Sequence, residues 1–132
     1  MKPLLILTLL ATSAGASAMS AGEYVAKAGD CSACHTSPEG QALAGGMRFA
    51  TPLGDFYATN ITPDKKYGIG SYSFDDFDKA MRKGVAKDGH HLYPAMPYTS
   101  YAKMTPEDMR ALYDYLMTEV KPQAVENKKS DI

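Results

Sequence analysis

Apolar residues recur at helical spacing in three parts of the chain and lose that periodicity between them. Ser20 followed by Glu23 has the spacing of a capping box, in which each side chain satisfies a backbone donor that the first helical turn leaves free. A helix is predicted to start there and to run through Tyr24, Val25 and Ala28 towards Cys31. Helical spacing returns after Ser73, a second N-cap. Phe74, Phe77, Ala80 and Met81 share one face, and Asp75, Asp76 and Asp78 favour the positive N-terminal end, with Gly84 near the helix's close. Thr105-Pro106-Glu107-Asp108 marks a third start, with Thr105 as cap and Pro106 in the first turn, where its missing N–H costs nothing. Met109, Leu112, Tyr113 and Leu116 form the apolar stripe of that helix.

Between these helices, residues 36–71 show neither helical nor strand periodicity, because glycines, prolines and polar residues interrupt every apolar run. A second loop, residues 87–104, is dense in proline and tyrosine. So much irregular chain ordinarily argues against a compact domain. A large apolar prosthetic group removes the objection, since loops can wrap it and pack on it. The nine tyrosines and four phenylalanines suit that packing.

The N-terminus reads as a secretory leader: Lys2, the apolar stretch from Leu4 to Ala11, then small residues ending Ala16-Ser17-Ala18. Cleavage is expected after Ala18, with a second site after Ala21. The apolar run is much shorter than the roughly 20 residues that span a bilayer, and no later stretch is long and apolar enough to cross one. The expected division is therefore a signal peptide at 1–18, one domain at 19–121 and a polar C-terminal tail at 122–132. The formal net charge of −1 gives no basic footprint for nucleic acid. The pair Lys128-Lys129 sits in the tail and reads as solvating charge.

Cys31-Ser32-Ala33-Cys34-His35 is the C-x-x-C-H haem-attachment signature. Two thiols separated by two residues can each add to a vinyl group on the same porphyrin edge, and the adjacent imidazole then lies under the iron. Three other readings compete. A thioredoxin-like dithiol needs strand–helix alternation that this chain lacks. Structural zinc needs four ligands, yet the sequence holds two cysteines and three histidines, two of them the adjacent His90 and His91. A disulfide suits an exported chain but leaves His35 a coincidence. Haem c, one group covalently bound, is the expected cofactor.

With His35 on one side of the iron, the function class turns on what occupies the other. Met81, Met109 and Met117 fall at core-like positions on predicted helices and read as packing residues. Met96 differs, because Pro94-Ala95-Met96-Pro97-Tyr98 has a proline on each side, which limits backbone freedom around a weak thioether ligand. Met96 is the expected second axial ligand, with His90 or His91 as the main rivals and Met47 and Met104 behind them. The Nδ1–H of His35 needs a carbonyl partner to fix the ring, and Pro38, just past the motif, is a candidate.

On these residues the chain resembles a class I cytochrome c, and more narrowly the first haem domain of the multi-haem cytochrome subunit of membrane-bound bacterial dehydrogenases that oxidise alcohols, aldehydes, gluconate or related polyols. The likeness runs from Gly22-Glu23-Tyr24 through the haem motif, Ala50-Thr51-Pro52-Leu53-Gly54 and Thr59-Asn60-Ile61-Thr62-Pro63-Asp64 to His91-Leu92-Tyr93-Pro94-Ala95-Met96-Pro97-Tyr98. It implies an all-α class I fold, with short helices and long loops wrapped around one haem, and a distal methionine at Met96. It also implies that the first and last helices cross closely, at Gly22 and Ala26 against Tyr115. Tyr57, Asn60, Tyr72, Tyr93 and Tyr98 are candidates to bond haem propionates or pack on the ring. Members of that family continue into two further haem domains and a membrane anchor, whereas one haem motif is present here and the sequence stops at Ile132. The expected role is a periplasmic electron carrier, not an enzyme. Its partners would be redox proteins: a periplasmic or membrane-bound dehydrogenase, an oxidase or another cytochrome. The rival is a ligand-binding or peroxidase-like haem protein with an open distal position.

Overall fold

Side-chain caps set the starts of the three long helices. In a computed structural model, which describes residues 18–132, helix α1 is Ala21–Ala28, and Ser20 Oγ accepts from the Glu23 backbone N–H at 3.2 Å. Only that half of the capping box forms, because Glu23 turns its carboxylate to Lys27 at 3.3 Å. The leader reading falls on residues 1–17, outside the described residues, apart from Ala18 at its end. Helix α1 stops sooner than its apolar spacing predicts: Asp30 has φ 58°, in the left-handed region, and reverses the chain. The cysteines therefore sit on a separate short helix, α2, Cys31–His35.

Residues 36–71 contain a hairpin that their periodicity did not reveal. Strand β1, Arg48–Thr51, pairs antiparallel with β2, Gly54–Tyr57, so that Phe49 lies opposite Phe56 and their rings stack at 4.9 Å. The expectation of an all-α fold is corrected to five helices and a two-stranded sheet among the described residues. Four residues per strand are too few to separate alternation from a turn-rich loop. Helix α3, Phe74–Lys83, carries a complete box in which Ser73 Oγ accepts from Asp76 N–H and Asp76 Oδ2 accepts from Ser73 N–H. A short α4, Tyr98–Tyr101, interrupts the second loop. Helix α5, Pro106–Thr118, starts on Thr105 as its spacing predicts.

Helices α1 and α5 cross so closely that only glycine fits at position 22. A Cβ there would lie 2.1 Å from the Ala111 carbonyl oxygen and 2.4 Å from Tyr115 Cβ. Around this crossing, Ala26, Leu43, Ile69, Phe77, Met81, Met109, Leu112 and Leu116 form the buried core. Met81 and Met109 thus lie in the core, and Met117 packs against it half-buried. No helix among the described residues is long and apolar enough to cross a membrane.

The polar tail is exposed along most of its length, yet it runs back across residues 55–62 and is tied there. Asn60, 2% exposed, donates through Nδ2 to the carbonyls of Gln123 and Val125 at 2.8 and 2.9 Å. Thr62 Oγ1 accepts from Gln123 N–H at 3.1 Å, and Asp131 bonds the backbone of Asp55 through its own N–H and its carboxylate. Gly22→Ala is expected to destabilise the protein by about 1–3 kcal/mol, the usual cost of forcing atoms into a packed contact. A urea midpoint equal to wild type would show that the helix crossing tolerates a methyl group.

Candidate functional site

Helix α2, the hairpin, α3, the second loop and α5 all contribute side chains to a cavity of about 300 Å³. Cys31, Cys34 and His35 come to it from α2, Phe49, Phe56 and Tyr57 from the hairpin, and Phe77 and Met81 from α3. Leu92, Tyr93 and Met96 enter from the second loop, and Leu112 and Leu116 from α5. The four residues singled out from the sequence, Cys31, Cys34, His35 and Met96, all line this one space, although residues 36–95 separate the motif from the methionine.

The imidazole of His35 is fixed by one strong hydrogen bond. Its Nδ1 lies 2.7 Å from the Thr59 carbonyl oxygen. A carbonyl can only accept, so Nδ1 carries the proton and the Nε2 lone pair is free for a metal. Burial depresses the histidine's pKa and the Thr59 bond opposes this only in part, so the ring is neutral at physiological pH. Pro38 is not the acceptor; the partner comes from 24 residues further on, a distance no local spacing reveals. Gly45 makes the approach possible. At φ 75° its N–H donates to the His35 carbonyl at 2.7 Å, and a Cβ there would meet the Thr59 carbonyl carbon at 2.4 Å.

The electrostatics of the cysteines weigh against the dithiol reading. Burial pushes the Cys31 thiol up to about 11, whereas a redox-active C-x-x-C cysteine has its thiolate stabilised. Structural zinc finds no support either, since the described residues contain no group of three or more His, Cys, Asp or Glu placed to hold an ion.

The loop that carries Met96 is closed at its base. Leu92 N–H donates to the Gly84 carbonyl at 2.7 Å, and Arg82 reaches from α3 to the carbonyls of Ala102 and Met104 at 2.8 and 2.9 Å. Asp78 holds that guanidinium at 2.7 Å. Tyr101 donates its hydroxyl to the Gly29 carbonyl at 2.7 Å, joining the loop to the turn before α2, and burial pushes its phenol up to about 12. His90 and His91 lie outside the cavity lining; His90 is exposed and pairs with Asp88. Met47 and Met104 are also outside it, whereas Met81 lines it beside Met96. Thr59, Arg82 and Tyr101 escaped the sequence reading. The i,i+4 spacing of Asp78 and Arg82 is a local signal that could have marked the pair, but the carbonyls these residues meet are set by the fold.

The aromatic candidates divide. Tyr57, Tyr72 and Tyr93 line the cavity, Tyr93 stacked on Phe56 at 4.2 Å. Asn60 is committed to the tail and Tyr98 lies against Gly84, so neither faces the space as expected.

The family model for cytochrome c matches residues 19–119. The chain is 63% identical over 111 residues to the gluconate 2-dehydrogenase cytochrome c subunit of Pantoea cypripedii, covering 84% of this chain and 25% of that one. It is 53% identical over 111 residues to the cytochrome c subunit of the quinone alcohol dehydrogenase of Gluconobacter oxydans, covering 84% and 23%. With the fructose dehydrogenase cytochrome subunit of Gluconobacter japonicus it shares 50% over 115 residues, covering 86% and 24%. The fold and the cavity thus define a small haem-wrapping domain. The chain belongs to the cytochrome c family and spans about a quarter of the length of these relatives.

The family's group is covalently bound haem c, and the residues present fit it. Two cysteines and one histidine share the wall of a cavity lined chiefly by carbon, together with several aromatic side chains. The raised phenol of Tyr101 has a consequence at alkaline pH. The folded state holds that proton more tightly than the unfolded chain, so the associated stability is intact below the unfolded pKa and is lost as pH rises between about 10 and 12. Unfolding midpoints followed across that window are expected to fall more steeply in wild type than in Tyr101→Phe. Parallel curves would remove Tyr101 as a contributor.

Proposed function

We propose that this chain is an exported, periplasmic c-type cytochrome domain that carries one electron at a time between a dehydrogenase and a respiratory acceptor. In this reading Cys31 and Cys34 would attach the haem covalently, and His35 and Met96 would hold its iron. The observation that carries it is the convergence of these four side chains on a single apolar cavity. The relatives support the partner class, since they are named as cytochrome subunits of gluconate, alcohol and fructose dehydrogenases. The leader pattern at 1–18 supports export.

When bound, the haem supplies a metal centre that takes up and releases single electrons. The chain's residues do the rest. Cys31 and Cys34 prevent loss of the group by dissociation. His35, neutral and aimed by Thr59, presents Nε2. Met96 presents a soft thioether that favours the reduced metal, from a loop whose prolines limit the entropy lost on ligation. Ile61, Ile69, Phe77, Leu112 and Leu116 keep water away and lower the local dielectric.

Met96→Ala is expected to leave haem attached, abolish the near-red absorption band of methionine–iron bonding in the oxidised protein, and open the iron to carbon monoxide. Met81→Ala, at the other cavity-lining thioether, is expected to keep the band. Loss of the band in the Met81 variant alone would move the ligand to Met81. A wild-type protein that lacks it would favour the rival reading, a haem protein with an open distal position. Haem colour that fails to migrate with the chain on a denaturing gel would overturn covalent attachment.

A further inference from the structure

The Thr59–Asn60 peptide group is held at both ends by side chains distant in sequence. Its carbonyl oxygen accepts the Nδ1–H of His35 at 2.7 Å, and its N–H donates to Asn127 Oδ1 at 2.7 Å. The amide is thus a single link between the proximal imidazole and the C-terminal tail. Hydrogen bonds in series polarise one another: donation from the N–H makes the carbonyl of the same peptide a better acceptor. A better acceptor draws the imidazole proton and makes Nε2 more electron-rich. Asn60 makes the arrangement rigid. Its buried side chain spans the carbonyls of Gln123 and Val125 through Nδ2, while its Oδ1 accepts from both the N–H and the hydroxyl of Thr62. The tail is thereby laid where Asn127 can meet the peptide.

We propose that Asn127 is a positioning residue for the haem site, acting through the Thr59–Asn60 peptide to aim and polarise His35 and so to hold the reduction potential down. The proposal rests on His35 being an iron ligand, which belongs to the proposed function. The tail then has a role at the site, because it adjusts the proximal ligand without touching the cavity.

The test uses the full chain with haem attached. Asn127→Ala is expected to retain haem and raise the midpoint potential. It should also speed exchange of the His35 ring N–H with deuterated solvent by about fivefold, the factor that loss of one average net hydrogen bond implies. Asn127→Asp keeps an acceptor oxygen and adds negative charge; exchange is expected to return to the wild-type range and the potential to fall below it. Lys129→Ala, two residues along, is expected to leave exchange unchanged. Wild-type exchange and potential in the Ala variant would overturn the proposal. If that variant does not fold, an Asp variant with unchanged potential would do the same. Failure of the underlying reading looks different: the His35 ring protons of the oxidised wild-type protein would then show no paramagnetic shift.

Discussion

The chain cannot close on itself, because its centre is reserved for something else. Phe77, Met81, Leu112 and Leu116 are among its most buried side chains, and each turns toward the cavity as well as toward its neighbours. The α1–α5 crossing is packed so closely that it demands glycine at position 22. Elsewhere, short helices and loops are arranged as a wall. A chain of this size has a small core of its own, and a group enclosed there would add to its apolar burial.

Helix starts were legible because their signals are local. Ser20, Ser73 and Thr105 each act within three residues, and all three cap as their spacing predicts. The haem motif was legible for the same reason, and the flanking prolines singled out Met96, which lines the same cavity. Long-range partners were not. Thr59 replaces Pro38 as the acceptor for His35, and Asn60, a candidate for the cavity, is occupied by tail carbonyls 63 and 65 residues away. Composition correctly described the tail as polar, but polar composition does not distinguish a solvated segment from one fastened by its backbone. The break between α1 and α2 was missed because Asp30 is an ordinary residue in an uncommon conformation.

The two sides of the site are held by different means. On the side of His35, the ring is held by the Thr59 carbonyl, which packs against Gly45. The distal side depends on a loop whose ends are fastened by Arg82, Tyr101 and the Gly84 carbonyl. In the proposed function the two sides would supply one rigidly aimed ligand and one carried on a separately fastened loop.

That clasp at the loop's base sets an order of failure. Residues 85–97 rest on a few backbone hydrogen bonds and on Tyr93 stacked against Phe56, so they can open locally before α1, α3 and α5 unfold. Warming or mild denaturant would then expose the methionine face well before the attachment face. The cavity would lose that wall in a first, reversible stage and the molecule its architecture only in a second.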